Sequence, residues 1–373
     1  MVRNPKHDML SHPNHDELSR QQFIFNFKRF LATKIRPGNK IIYKKLIEPA
    51  HIKKQGKKPE SRNEIDNAMS ENFLYLMYSA LSRNAQEMMW DSVADPIFRN
   101  KENLSKKFEK ITTNEQKLGS VNLNPDLMIP NGIKKVDIHL QPGGYVSDYN
   151  PTDVLAGAFY EGGGNLYSLG NGVGVSEGKG DVLVRFLKER YPNFKPKKIL
   201  DCGCSAGSSS TPWALEFPEA EVHGIDLGAG MLRYAHARAE SLGAKVHFHQ
   251  MSAKELSFKS NSFDLVVSSN AMHEMPQKTT EGMFNESYRI LKKGGISIHQ
   301  DVPLRFNELD PYQQFERGWD QKHNNEPYWI TYATNKPEEM FINAGFNKEN
   351  IWLGKFEQLD KTIKWFISCA IKN

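Results

Sequence analysis

Apolar positions follow two different periods along this chain, and the change of period divides it. Over the first hundred residues the spacing is helical. Phe23, Phe27, Phe30 and Leu31 fall at i, i+4, i+7 and i+8 behind Asp16, a residue suited to capping. Arg36–Pro37–Gly38 reads as a break, Ile41 to Leu46 as a short helical segment, and residues 51–62 as a polar, basic loop. Leu74, Met77, Tyr78 and Leu81, extended by Met88, Met89 and Trp90, predict a long helix over 64–90. A methionine and aromatic stripe of that kind is a packing face or a dimer interface before it is a ligand box. Residues 1–15 are polar and interrupted by prolines, and read as a frayed leader. Residues 100–135 carry little periodicity beyond the turn pair Asn131–Gly132, and Val136 to Leu140 alternates like a strand.

The second half reads differently. Residues 146–180 are too rich in glycine for a packed element, and suit a lid over a ligand or a linker. Lys179 to Tyr191 is an amphipathic helix leading into the strand Lys198 to Cys202. Strand and helix then alternate: Val222 to Asp226, a helix over 230–241, Lys245 to Gln250, Phe263 to Ser268, a helix over 279–291, and Ile296 to Gln300. Phe263 to Ser268 is apolar on both faces, as a buried parallel strand is. An irregular aromatic insert occupies 303–333. A helix over 337–344 follows, with Gly345 as its cap, and two final strands, 351–356 and 362–371, form an antiparallel pair. The pattern predicts an α/β fold with a doubly wound, mostly parallel, Rossmann-like sheet. Its domains are a mainly helical region over 1–145, a Gly-rich lid or linker over 146–180, and the sheet domain over 181–373.

Charge and cysteine content change this picture little. The formal net charge is +5, and residues 1–60 hold roughly +9 of it, so the remainder is roughly −4. The basic end suits a solvated surface before a nucleic-acid grip. Three cysteines, Cys202, Cys204 and Cys369, make no disulfide framework. With no signal-peptide pattern and no membrane-length apolar run, a cytoplasmic protein is expected.

The chemistry concentrates in Lys197 to Asp226. Gly203, Cys204, Ser205, Ala206 and Gly207 form a turn almost free of side chains, and Pro212 suits the first turn of a helix. Asp226 ends the second strand about 20 residues beyond the turn, where an acid can bind ribose hydroxyls. An adenosine-bearing ligand is implied.

DCGCSAG, GIDLGAGMLRYAHARAESLG, MSAKELSF, SFDLVVSSNAMHEM and ESYRILKKGGISIHQD stand in order over residues 198–301. Together they resemble the class I S-adenosylmethionine-dependent methyltransferases, in the branch of the ubiquinone/menaquinone C-methyltransferases and the sterol methyltransferases. The resemblance covers about 180–371 and implies a seven-stranded sheet, S-adenosylmethionine as cofactor and methyl transfer as activity. It places Asp201 and the turn Gly203 to Gly207 at the methionine moiety, Gly203, Cys204, Ser205 and Gly207 among them. Asp226 then falls on the ribose, Leu227, Met231, Met251, Ser252 and Ala253 around the adenine, and Asn270 and Ala271 beside the sulfonium. Tyr167 resembles a tyrosine that covers the cofactor in sterol-type relatives. The chain departs from the family pattern at Ser205, where a glycine is usual, and at Ser252, where an aspartate is.

A small-molecule acceptor methylated at oxygen or carbon is expected, held by the aromatic insert and the N-terminal helices. His273, Glu274, His299 and Asp301 are the candidates for removing a proton, with His273 first as a base or as an orienting histidine. His139 and His323 are lone histidines in the regions that could close over the site. No metal is expected, since the Cys202/Cys204 spacing has no second pair. The segment SNAMHEMP lacks the Asn/Asp-Pro-Pro-aromatic sequence that holds a flipped base, which disfavours a nucleic-acid methyltransferase. A non-catalytic S-adenosylmethionine-binding partner is the other alternative, and a homodimer through 64–90 is open.

Overall fold

The computed structural model describes residues 5–167 and 177–373, without the side chains of Asn165 and Tyr167. Its centre is one sheet of β1 (Ser120–Asn122), β2 (Lys198–Cys202), β3 (Glu221–Asp226), β4 (Val246–Gln250), β5 (Phe263–Ser269), β6 (Leu291–Asp301), β7 (Ile351–Glu357) and β8 (Lys364–Ile371). The order is β1-β4-β3-β2-β5-β6-β8-β7. Pairing is parallel from β1 across to β6, while β8 runs antiparallel to both β6 and β7. β2 and β5 are buried along almost their whole length, because helices cover both faces. The chain leaves β2 towards β3 and β4, then crosses back to β5 on the other side. That reversal opens a crevice at the C-terminal ends of β2 and β5, where such sheets bind ligands.

The doubly wound sheet matches the expectation, with one strand more than seven. β1 comes from the stretch that showed no alternation. It is only three residues long and half exposed, too short to carry a period of two. Its approach is fixed instead by Glu240, which accepts the Leu118 and Gly119 N–H groups at 2.9 and 2.6 Å.

Several local expectations are corrected. Arg36–Pro37–Gly38 is no break: the chain stays helical from His15 to Gln55, and a wide turn at Leu31–Ile35 precedes Pro37 and accommodates its missing N–H. The basic loop begins only at Gly56, which caps the helix with φ 76°. The 64–90 helix is two helices, Arg62–Met69 and Phe73–Thr113, divided where the Asn72 side chain accepts the Leu74 and Tyr75 N–H groups. Val136 to Leu140 is no strand, since His139 and Leu140 sit at φ 55° and 60° in a tight turn. The leader is not frayed from His7 onward. His7 Nε2 lies 2.9 Å from Glu161 Oε2, and Met9 is buried.

The Gly-rich stretch contains the helix Leu155–Tyr167; residues 168–176, and the Tyr167 side chain, lie outside the described residues. The aromatic insert carries the short helices Pro311–Arg317, Trp319–His323 and Trp329–Thr334. Tyr312 and Phe315 pack there with Tyr43, Ile65, Met69, Tyr75 and Tyr78. The insert therefore joins the N-terminal helices to the sheet. A further core runs between the two halves, with Met9, Ile24, Trp90 and Phe159 against Ala206, Met231 and Tyr234. Among the described residues no helix is long and apolar enough to cross a membrane.

Candidate active site

The turn after β2 gets its shape from the backbone. Gly203, Ser205 and Gly207 all have left-handed φ, at 70°, 52° and 79°. A Cβ on Gly203 would stand 2.8 Å from that of Ala271, so only glycine lets the loops after β2 and β5 meet. The Gly203 and Cys204 N–H groups both donate to the Ile225 carbonyl at 2.9 Å, which ties the turn to β3. Asp226, at the tip of β3, accepts the Ser205 N–H at 2.9 Å and the Gly228 N–H at 3.1 Å. Those two bonds aim its carboxylate. Burial raises its pKa, against the pull of the backbone donors.

One cavity opens above this turn. Gly203, Cys204, Ser205, Asp226, Leu227, Met231, Met251, Ser252, Ala253, Asn270 and Ala271 all line it, from four loops separated in sequence. Asp201 and Gly207 do not. Asp201 lies behind the turn, fully buried, and its Oδ2 accepts the Ser209 and Ser210 hydroxyls at 2.6 Å each. Gly207 packs on Ala235 and donates to the Cys204 carbonyl. Both shape the turn rather than face the cavity. Ser269 Oγ and Asn270 Oδ1 are buried on the cavity wall without a hydrogen-bond partner among the described residues. Orphaned polar atoms beside a small-residue turn fit a ligand carrying both polar and apolar parts.

The opposite wall comes from sequence that carried no motif. Pro130, Ile133, Ile138, Tyr145, Val146 and Tyr160 face the cavity, with Lys179, Ser208, Ser209, Glu274, Met275 and Thr279. Among the described residues no side chain of 303–333 lines it. Glu274 is the carboxylate of this wall among the described residues. Its Oε1 lies 2.8 Å from His139 Nε2 and 3.2 Å from the Tyr145 hydroxyl, which donates to it. Burial alone would raise the Glu274 pKa, but His139 and then His273 outweigh it and hold the group ionised, below its usual range. Burial likewise opposes charge on His139, yet Glu326 and Glu274 raise its pKa to about 10.

His273 itself is buried and stands behind Glu274. Its Nδ1 lies 2.5 Å from Asp301 Oδ1, and its Nε2 lies 3.5 Å from Glu274 Oε1. Asp301 also accepts the Met272 and Val302 N–H groups. His299 lies inside the sheet between the Ser268 and Ser297 hydroxyls, and burial lowers its pKa to about 3. His323 stacks on Trp319, away from the cavity lining. The three cysteines are free and buried.

The long helix Phe73–Thr113 holds His139 in place. Trp90 Nε1 and Gln86 Nε2 both donate to the His139 carbonyl, at 2.7 and 3.0 Å. A pairing between residues so far apart in sequence leaves no local signal. The φ of 55° at His139, which brings it about, is likewise invisible in a five-residue alternation.

Residues 199–295 match a family model described as a methyltransferase domain. Phosphoethanolamine N-methyltransferase 2 of Caenorhabditis elegans is 36% identical over 123 residues, 32% of this chain and 27% of the relative. The malonyl-[acyl-carrier protein] O-methyltransferase of Legionella pneumophila is 28% identical over 137 residues, 36% of this chain and 44% of the relative. The phosphoethanolamine N-methyltransferase 2 of Haemonchus contortus, solved with phosphomonomethylethanolamine and S-adenosylhomocysteine, is 21% identical. It covers 51% of this chain and 52% of that one, with a TM-score of 0.40. The chain spans less than half the length of the first relatives it matches. Residues 199–295 are thus similar to a methyltransferase domain, and the relatives single out neither the ubiquinone nor the sterol branch.

Proposed function

We propose that this chain transfers a methyl group from S-adenosylmethionine to a small-molecule acceptor, at oxygen or carbon. One observation carries the reading. Of the residues expected to hold the donor whose side chains are described, all but Asp201 and Gly207 line a single cavity at the sheet's switch point. The sulfonium of the cofactor supplies an already activated methyl group, so alignment and exclusion of water carry much of the rate. Asp226 is positioned for the ribose hydroxyls, and the Gly203 turn for the methionine end. Asn270 and Ala271 stand between the two walls, where the methyl would leave.

The acceptor side is apolar and aromatic, with Glu274 as its one carboxylate and Lys179 as its one cation among the described lining residues. Such a wall suits a largely apolar acceptor better than a phosphorylated one, which would ask for several cations. Glu274 is aimed to accept a hydrogen bond from an acidic O–H or C–H of the acceptor. His273, bound to Asp301 and set behind Glu274, is a positioning residue in this scheme rather than the base.

Calorimetry with S-adenosylhomocysteine tests the donor half. Binding is expected for the wild type, and Asp226→Ala should weaken it by about 100-fold, the worth of two charge-assisted hydrogen bonds. An unchanged affinity in that variant would remove the assignment of the site.

A further inference from the structure

We propose that His139, His273 and Glu274 form a binding site for a divalent first-row transition cation, of the Zn²⁺ or Fe²⁺ class, on the acceptor wall. The inference rests on the methyl-transfer reading only for its use, and not for the site itself. The three donor atoms lie within 4.8 Å of one another. His139 Nε2 is 2.8 Å and His273 Nε2 3.5 Å from the same Glu274 oxygen. An ion about 2.1 Å from each donor asks for donors about 3 to 3.5 Å apart, so small side-chain rotations suffice.

The surroundings of the histidines carry the argument further. A ligating histidine presents one ring nitrogen to the ion and gives the other to a carboxylate or carbonyl, which fixes the tautomer and the ring. Both histidines have that arrangement. His139 Nδ1 is 3.0 Å from Glu326 Oε1, and His273 Nδ1 is 2.5 Å from Asp301 Oδ1. Glu326 and Asp301 are 1% and 0% exposed. Asp301 is itself held by backbone N–H groups, and Glu326 accepts the Asn324 amide at 2.7 Å. Among the described residues Glu274 Oε2 is buried with no hydrogen-bond partner, which leaves a second carboxylate oxygen for the ion. His139 lies on the turn Ile138–Leu140 and the other two ligands on the loop after β5, so the cation would also lock the acceptor wall to the sheet.

Two histidines and one carboxylate occupy three positions, and the chemistry of that donor set selects zinc or ferrous iron over magnesium or calcium. The remaining positions belong to water or to an acceptor oxygen. Since Glu274 and Tyr145 line the cavity, the class of acceptor such a site takes is one with a hydroxyl or enol oxygen. Coordination would form an O–metal bond while the O–H proton passes to bulk water.

The test uses the full-length chain without a histidine tag, stripped with a chelator and titrated with Co²⁺. One Co²⁺ should bind per chain, with visible d–d absorption of a nitrogen and oxygen site, and Zn²⁺ should displace it. His139→Ala and Glu274→Gln should each weaken Co²⁺ at least tenfold, and Glu326→Gln, which leaves the ligands in place, should do so to a smaller extent. No binding to the wild type, or affinity unchanged in His139→Ala, overturns the proposal. S-adenosylhomocysteine is titrated into the same preparations. Its retention when Co²⁺ fails to bind leaves the methyl-donor reading standing, and its failure when Co²⁺ binds removes that reading while the metal site holds.

Discussion

Asp201, one residue before the end of β2, has its carboxyl group fully buried, with two serine hydroxyls on Oδ2 and, among the described residues, no partner on Oδ1. Burial, with a smaller push from Asp226, raises its pKa from 3.8 to about 6 and outweighs the serine hydroxyls. The sign of the consequence follows from linkage. Below about pH 4 the acid is protonated whether the chain is folded or not. Between about pH 4 and 6 the unfolded chain loses that proton while the folded one keeps it, so stability falls as pH rises. The loss approaches about 3 kcal/mol, at 1.36 kcal/mol per pKa unit. Asp201→Asn keeps an oxygen for both serines and has no proton to lose. The difference in unfolding free energy between pH 4 and pH 7, by chemical denaturation, should therefore contain a fall in the wild type that the variant lacks. Equal pH profiles would show that Asp201 is ionised in the fold. At this scale the donor side was legible, because a turn with φ of 70°, 52° and 79° within five residues tolerates only small side chains and so leaves a signature. Asp201 stands next to that signature and does not line the cavity. Glu274 was legible as a candidate and His139 as a lone histidine near the site, but their pairing was not.

The helix Leu155–Tyr167 shows the same issue one level up. Four glycines in thirteen residues suggest a loop on propensity alone, since each weakens a helix by up to about 1 kcal/mol. Here packing reverses that reading. A Cβ on Gly157 would stand 2.3 Å from that of Tyr234, and one on Gly163 the same distance from the Trp90 ring. The glycines let this helix lie directly against the Ala229–Ser241 and Phe73–Thr113 helices. Gly164 differs, with nothing among the described residues within 4 Å of its Cβ position. Gly157→Ala should therefore destabilise the protein by about 1 to 3 kcal/mol through overpacking. Gly164→Ala should stabilise it by up to about 1 kcal/mol through helix propensity. Urea midpoints of the two variants test this. Equal effects would mean that the close approach does not exist. The strands of the sheet were readable because β5 must be apolar on both faces wherever helices cover both. A helix defined by close approach has no such requirement visible in its own residues.

At the scale of the molecule the two halves share one interior. Met9 and Ile24, from the start of the chain, pack with Trp90, Phe159, Met231 and Tyr234. The Tyr234 hydroxyl donates to the Met9 carbonyl at 3.2 Å, and His7 pairs with Glu161, which also meets Arg238 at 3.1 Å. The cavity repeats the arrangement, with its donor wall from the sheet domain and its acceptor wall largely from residues 130–160. A helical region that only capped the sheet would melt on its own, at a temperature indifferent to ligand. A region that shares its core must unfold with the sheet. Differential scanning calorimetry of the full chain should thus show one transition, with calorimetric and van't Hoff enthalpies in agreement. S-adenosylhomocysteine at 100 times its dissociation constant should move that whole transition upward, by the equivalent of about 2.7 kcal/mol. A second, lower transition left in place by the ligand would separate the N-terminal helices from the sheet. It would also leave the acceptor wall free to form after the donor binds, whereas a single shifted transition means that both walls stand ready together.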